Sequence, residues 1–201
     1  MIRRRRRRRP AAAAVLAVSI ALALGGCTAT DQLASDFRSG DGAGTGDARV
    51  TEFPAGERGD PVSFHARDTS GADVNAEQFR GKVLVVNFWY AACGPCRLEA
   101  KDLREASAAT TDTATFLGVD TRDSSDSVRA FVDTYDIPYA NVVDVEDNAV
   151  QLAFAARTAP NTTPSTLVLD PEGRVSSRIL GPVDPSMLTT LIAAAAATPS
   201  A

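Results

Sequence analysis

Two of the three cysteines in this 201-residue chain lie three positions apart, in the segment Cys93-Gly94-Pro95-Cys96. A buried-strand pattern precedes the segment and a helical pattern follows it, so Cys93 should meet the free N–H groups and the positive end of a helix dipole. Both effects favour the thiolate and lower a cysteine pKa from about 8.5 toward about 3.5 to 7.5. The spacing returns Cys96 to the same helix face, where it can attack a mixed disulfide and release the product. The pattern predicts a redox-active pair with Cys93 as an ionised and accessible nucleophile.

A Cys-x-x-Cys pair could instead be half of a zinc site or two ordinary core cysteines. Zinc is disfavoured because a tetrahedral site takes about four Cys or His ligands, and His65 is the only histidine of the chain. Pro95 suits the first turn of a helix, where a residue donates no helix hydrogen bond. We therefore expect chemistry at the thiols themselves, with neither a metal nor another cofactor.

An acidic residue, Glu99, follows the pair on the apolar stripe of the predicted helix. It shares a helix face with Cys96, Leu103 and Ala106. A carboxyl group in that position should have a raised pKa and could take the proton from Cys96. The alternative is a solvated glutamate near the edge of the helix. We predict Glu99 as the third catalytic residue, beside Cys93 and Cys96.

A proline, Pro164, stands directly before a predicted strand at 165–169. A proline that enters a strand lacks a ladder donor and often marks a turn or a cis bond. Since only about 5 to 6% of X–Pro bonds in folded proteins are cis, the residues alone predict a trans bond between Thr163 and Pro164.

From about Val50 onward, strand and helix patterns alternate. Residues 61–66 and 72–74 indicate a β-hairpin, and a short helix that ends near Gly81 follows it. An unbroken apolar run at 82–89 is typical of a central parallel strand covered on both faces. Further strands are predicted at 114–119, 140–143, 165–169 and 174–179, and helices at 94–108, 125–135, 148–155 and 185–197. This order predicts an α/β fold with a mixed central sheet flanked by helices and an N-terminal β-hairpin extension.

The first 26 residues have the pattern of a secretory signal, with a basic start at Arg3–Arg9 and an apolar stretch at 11–24. A membrane-spanning helix is the alternative, but it needs about 20 apolar residues. The segment Leu24-Gly25-Gly26-Cys27 resembles the lipobox of bacterial lipoproteins, in which the signal is cut before a cysteine that carries a lipid. We expect Cys27 to be the lipid attachment site; a secreted form with an unmodified thiol is the alternative.

Residues 27–50 are rich in Asp, Ser, Thr and Gly and offer too little apolar surface to offset the entropy of ordering, which predicts a flexible tether.

The formal charge of the whole chain is −4, and it becomes −11 if everything before Cys27 is removed, because seven arginines leave with the signal. Such an acidic domain is a poor partner for nucleic acid, which is bound through basic patches. The predicted organisation is a lipoprotein signal peptide at 1–26, the tether at 27–50 and a globular domain at 51–201.

Four segments together resemble the TlpA/ResA/DsbE-like branch of the thioredoxin superfamily, over about residues 53–197. They are Val86-Asn87-Phe88-Trp89, Cys93-Gly94-Pro95-Cys96-Arg97-Leu98-Glu99, Phe116-Leu117-Gly118-Val119 and Thr163-Pro164-Ser165-Thr166-Leu167-Val168-Leu169-Asp170 with Gly173-Arg174. The resemblance implies a thioredoxin-like domain at 51–201 and, against the residues alone, a cis Thr163-Pro164 bond that faces the active site. It also implies that Thr163, Pro164 and Trp89 bind the substrate. Glu99 would replace the buried aspartate of ordinary thioredoxins, whose position Asn87 occupies.

Two residues depart from the family pattern. Ala92 stands where the family usually has tryptophan, and Lys101 stands where a proline that kinks the helix is common. The first could alter contacts with partners and the second the shape of the helix. Neither removes a thiol.

The resemblance implies a thiol-disulfide oxidoreductase anchored to the membrane by its lipid, on the extracytoplasmic face. Its partners would be exported protein thiols or disulfides, apocytochrome c among them, and a membrane redox donor would restore the reduced pair. Family membership leaves the direction of electron flow open, since related proteins differ by about 150 mV in potential. The alternatives are a disulfide-forming oxidant, a thiol peroxidase of peroxiredoxin type and a copper-binding chaperone.

Overall fold

The computed structural model describes residues 49–157 and 162–197. The predicted signal peptide, Cys27 and residues 27–48 of the predicted tether lie outside the described residues. Within the described ranges, none of the helices combines the length and the apolar character that crossing a membrane requires.

In the part of the chain that the structure describes, the β structure consists of a six-stranded mixed sheet and a two-stranded hairpin. The strands are β1 (Val50–Glu52), β2 (His65–Arg67), β3 (Asp73–Asn75), β4 (Val83–Trp89), β5 (Ala114–Asp120), β6 (Ala140–Val143), β7 (Ser165–Leu169) and β8 (Val175–Leu180). The order in the large sheet is β1-β8-β7-β4-β5-β6, and β2 pairs with β3 separately. The pairs β4–β5 and β5–β6 are parallel, whereas the other neighbours are antiparallel. The predicted mixed sheet and hairpin extension are confirmed.

Among the described residues, four α-helices cover the sheet, and two short 3-10 helices precede β4. The α-helices are α1 (Gly94–Ala109), α2 (Ser125–Tyr135), α3 (Ala149–Ala153) and α4 (Pro185–Ala196), and the 3-10 helices span Ala55–Glu57 and Ala76–Phe79. The helix predicted to end near Gly81 is therefore a single 3-10 turn. It begins at a capping box in which Asn75 and Gln78 satisfy each other's backbone N–H groups.

Strand β4 is the centre of the molecule, because all seven of its residues are buried. Its side chains alternate between the two faces of the sheet. Val83 and Val85 pack with α1 and α4, while Leu84 and Val86 pack with α3 and the hairpin. The predicted central strand is confirmed, but it is parallel to its neighbour on one side only, since β7 is antiparallel to it.

The amino-terminal part differs from the prediction in two ways. The hairpin begins at His65 and not at Pro61, because the preceding stretch turns toward the β7–β8 connection, where the Val62 N–H donates to the Gly173 carbonyl over 2.9 Å. Strand β1 was not predicted, and it forms by pairing with β8 at Val50 and Ile179.

Candidate active site

The two cysteines of the motif lie where β4 gives way to α1, and they form a disulfide. Their Cα atoms are 5.2 Å apart. Cys93 is the N-cap of α1, and its Sγ accepts the backbone N–H of Cys96 over 3.1 Å. Pro95 lies in the first turn. The predicted junction of buried strand, cysteine pair and helix is confirmed.

The exposure of Cys93 differs from the prediction. In this oxidised state Cys93 and Cys96 are each only 2% exposed. The Cys93 sulfur is bonded to that of Cys96, and the Thr163 carbonyl oxygen lies 3.9 Å from it. Access to Cys93 therefore requires a local movement or the opening of the disulfide.

The segment before β7 brings Thr163 and Pro164 to the cysteine pair. The Thr163-Pro164 bond is cis, so the trans bond predicted from the residues alone is wrong and the geometry implied by the family resemblance is confirmed. Because most X–Pro bonds are trans, the residues alone favoured the wrong isomer, and only the family resemblance pointed to the cis bond. The Pro164 carbonyl accepts the N–H of Gly181 over 2.8 Å, which ties the segment to the end of β8.

Glu99 lies beneath the cysteine pair, inside the protein. It is 1% exposed, and both carboxylate oxygens have partners: Asn87 Nδ2 donates to Oε1 and the Val183 backbone N–H donates to Oε2, each over 2.9 Å. Desolvation by burial, only partly opposed by these hydrogen bonds, raises the pKa of Glu99 to about 7. Glu99 can therefore hold or release a proton near neutral pH, as its place on the apolar stripe predicts.

A row of four paired residues, three of them with polar side chains, crosses the sheet below α1. Thr166, Asn87, Gly118 and Asn141 occupy paired register positions on β7, β4, β5 and β6. Asn87 also donates to the Thr166 hydroxyl over 3.1 Å. The row borders a small cavity, about large enough for one water molecule, which is lined by Asn87, Trp89, Cys96, Ala100, Leu103, Phe131, Ile137, Tyr139 and Asn141.

Trp89 belongs to the floor of the site. It is 4% exposed, its ring packs against Phe131 at 4.1 Å between centroids, and its indole N–H donates to Asn141 Oδ1 over 3.1 Å. Both the ring and its polar atom are turned into the core, where Trp89 belongs to the same buried cluster as Cys93 and Cys96. Substrate binding by Trp89 stays a prediction.

Several residues that surround the site were not predicted. Tyr139 and Asn141 lack any motif and reach the cavity only through the pairing of β5 with β6. Asp123 and Arg97 bind the backbone of Ala91, two residues before Cys93. In the sequence, the only indication for Asp123 was its position after a strand, and the only indication for Arg97 was its position next to the motif.

The two departures from the family pattern leave the site intact. Ala92 is exposed. Lys101 pairs with Glu105 over 3.5 Å on the exposed side of α1, and α1 runs without a break from Gly94 to Ala109.

Replacing Glu99 by glutamine should slow the step in which Cys96 closes the disulfide. In the wild type that rate should rise as the pH passes about 7, because ionised Glu99 can accept the thiol proton and neutral Glu99 cannot. In the Glu99→Gln variant the rise should move to about pH 8.5, where an ordinary thiol ionises without a base beside it. At pH 7.5 we expect a loss of about tenfold, since an ordinary thiol with a pKa near 8.5 is still about one tenth ionised.

The step can be followed by stopped-flow fluorescence, because Trp89 is the only tryptophan of the chain and lines the same cavity as Cys96. Glu105→Gln is the matched control, being an exposed glutamate on the same helix. An unchanged pH profile in Glu99→Gln would remove Glu99 from the mechanism.

Comparisons with known proteins agree with this geometry. A sequence profile described as the AhpC/TSA family matches residues 59–178. The thiol:disulfide interchange protein HelX of Rhodobacter capsulatus is 28% identical over 138 residues, which cover 69% of this chain and 74% of HelX. The thiol-disulfide oxidoreductase ResA of Bacillus subtilis is 26% identical over 133 residues, 66% of this chain and 72% of ResA.

A solved structure of a secreted thiol-disulfide isomerase from Corynebacterium glutamicum superposes with a TM-score of 0.63 at 25% identity, over 75% of this chain and 95% of that one. The profile spans both cysteines, and the C. glutamicum structure shares the fold in which they lie. This chain therefore belongs to the AhpC/TSA family of the thioredoxin superfamily and is a thiol-disulfide oxidoreductase.

Proposed function

We propose that this chain is held at the extracytoplasmic face of the membrane by a lipid on Cys27 and keeps the cysteines of exported proteins reduced, those of apocytochrome c included. The observation that carries the redox part is the Cys93–Cys96 disulfide at the start of α1, beside the Thr163 carbonyl. The location is supported by the signal-like residues 1–26 and the lipobox-like segment that ends at Cys27. The relative from C. glutamicum is described as secreted, which is compatible with this location.

The reaction transfers two electrons from the cysteine pair to a substrate disulfide. The Cys93 thiolate attacks one substrate sulfur, and the other leaves as a thiolate that takes up a proton. Cys96 then gives its proton to Glu99 and attacks the Cys93 sulfur, which releases the second substrate thiolate. The substrate disulfide is now reduced and the Cys93–Cys96 pair oxidised, and a membrane-bound dithiol donor restores the pair by the reverse exchange.

Thr163 and Pro164 supply the surface beside Cys93 on which the substrate lies. Thr163 is half-buried, and its carbonyl oxygen lies 3.9 Å from the Cys93 sulfur. An extended substrate could pair with the backbone at this position while its cysteine reaches Cys93.

The second candidate function is disulfide formation, in which the same steps run in the opposite direction. The name of the C. glutamicum relative, an isomerase, favours neither direction, because isomerisation rearranges disulfides without a net transfer of electrons. The two directions differ in redox potential, which ranges from about −270 mV for thioredoxin to about −120 mV for a strong oxidant, a span of about 7 kcal/mol for two electrons.

Two measurements test the proposal. Equilibration of the Cys93–Cys96 pair with dithiol buffers should give a potential nearer the thioredoxin value; a strongly oxidising value would assign disulfide formation instead. A Cys96→Ala variant expressed with its native leader should accumulate mixed disulfides through Cys93 with exported proteins, which mass spectrometry can name. Recovery of this variant from the soluble fraction without a lipid on Cys27 would contradict the anchor.

A further inference from the structure

The loop that follows β5 contacts the segment that leads from β4 to Cys93. Thr121 donates to the Trp89 carbonyl from its backbone N–H over 3.0 Å and from its hydroxyl over 3.2 Å. The guanidinium of Arg122 lies 4.3 Å from the centre of the Tyr90 ring. The end of β5 thus holds the two residues that come directly before Ala91.

Ala91 is bound from both sides. Its backbone N–H donates to the Asp123 carboxylate, and its carbonyl accepts Arg97 Nε over 2.7 Å. Ala91 precedes Cys93 by two residues, and the Cys93 N–H donates to the Tyr90 carbonyl over 3.0 Å. Asp123 and Arg97 therefore fix the short backbone segment from which the nucleophilic sulfur extends.

A second carboxyl group, Asp120, lies behind Asp123. Asp120 is fully buried, and its Oδ1 accepts the backbone N–H groups of Arg122 over 3.0 Å and of Asp123 over 2.6 Å. Its Oδ2 is buried without a donor among the described residues, and the residue whose backbone N–H binds Oδ1, Asp123, brings a second carboxylate that interacts with Asp120. Two ionised carboxylates only accept hydrogen bonds, so this contact is favourable only when a proton lies between them.

The charges around the pair do not replace that proton. Within residues 49–157 and 162–197, neither aspartate forms an ion pair. Asp144, which follows β6, gives its backbone N–H to the Asp120 carbonyl, while its carboxylate accepts the N–H groups at the start of α3. Arg122 extends over Tyr90 and Arg97 binds the Ala91 carbonyl. Desolvation, with the Asp123 charge adding to it, raises the pKa of Asp120 to about 7.

We propose that Asp120 and Asp123 share one proton and, through the hydrogen bond that Asp123 accepts from Ala91, position the loop that carries Cys93. Both are positioning residues, because neither touches the reacting sulfur atoms. The pair acts on the exchange at Cys93 in either direction of electron flow, so it does not depend on the reductive role or on the lipid anchor.

The shared proton can be detected by infrared spectroscopy at neutral pH. The protein should carry Glu99→Gln, which removes the other buried acid whose pKa is near 7. We expect a band from a protonated carboxyl group that Asp120→Asn removes and Asp133→Asn, an exposed position on α2, leaves in place. A spectrum in which Asp120→Asn changes no such band would overturn the shared proton.

The positioning is tested by alkylation of the reduced protein across pH 5 to 9, with mass spectrometry to identify Cys93. Asp123→Ala should lower the rate at Cys93 about fivefold at pH 7, equivalent to the net loss of one hydrogen bond of about 1 kcal/mol. Asp123→Asn should restore the rate to within about twofold, because its side-chain carbonyl can still accept the Ala91 N–H. The proposal fails if Asp123→Ala matches Asp133→Asn. Should Asp123→Ala not fold, a fivefold loss in the folded Asp123→Asn variant would overturn it equally.

Discussion

Alanine in place of Cys93 should reduce disulfide exchange to the uncatalysed background. Cys93 is the cysteine whose sulfur accepts a backbone N–H at the start of α1, where the helix dipole also favours a negative charge. Cys96 lies inside the first turn of α1, and its backbone N–H is the group that the Cys93 sulfur accepts. It should therefore not replace Cys93 as the attacking thiol. The measurement is the turnover of a disulfide substrate by a chain that also carries Cys27→Ser, so that the motif supplies the only thiols.

Cys96→Ala is the matched variant, because it removes the other sulfur and leaves the nucleophile in place. Its Cys93 should react with an alkylating agent faster than a free cysteine does at neutral pH. In exchange with a disulfide substrate, Cys96→Ala should stop at the mixed disulfide, whereas Cys93→Ala should show only the uncatalysed background. An alkylation rate in Cys96→Ala no higher than that of free cysteine would show that Cys93 is not activated. The proposed mechanism would then lose its first step.

Alanine in place of Gly118 should destabilise the fold by about 3 to 5 kcal/mol, a large fraction of the stability of a typical domain. An added Cβ at this position would lie 1.8 Å from Asn141 Oδ1 and 2.9 Å from Trp89 Nε1. These two atoms form the buried hydrogen bond that fixes the indole ring. The methyl group must therefore displace both side chains or open β5 from its neighbours, and either change disturbs the cavity under Cys96.

Urea unfolding followed by circular dichroism measures this loss. Gly56→Ala is the control, since nothing lies within 4 Å of a Cβ added there, and it should change the free energy of unfolding little. Adding Asn141→Ala to Gly118→Ala should recover part of the stability, because it removes the worse of the two overlaps. Equal losses in Gly118→Ala and Gly56→Ala would contradict the predicted overlap.

Local patterns predicted the elements whose residues carry their own signals. Helix α2 spans the predicted residues because Ser124 caps it and the buried residues Val128 and Phe131 recur at helical spacing. Strand β1 carries no comparable signal. It is three residues long, and it becomes a strand only because Val50 meets Ile179 from a distant part of the chain.

The same distinction applies to the site. The positions of Cys93, Cys96 and Glu99 follow from one strand, one helix and the period of that helix, so the sequence predicted their arrangement. The same strand pattern predicted the burial of Trp89, but its hydrogen bond to Asn141 arises only from the pairing of strands. The proximity of Asp123 to Ala91 has the same origin, since it arises where the ends of β4 and β5 meet.

The strands at the two edges of the large sheet, β1 and β6, are short, and this limits aggregation through backbone pairing between molecules. Unpaired backbone groups at the edge of a sheet are a template for aggregation, and short or covered edges reduce that risk. β8, six residues long, would be such an edge if β1 did not cover half of it. At the opposite edge β6 has four residues, and a bridge between Asp68 and Val142 covers part of it. Among the described residues, both edges of the large sheet are therefore short strands, a form that offers few backbone groups to a neighbouring molecule.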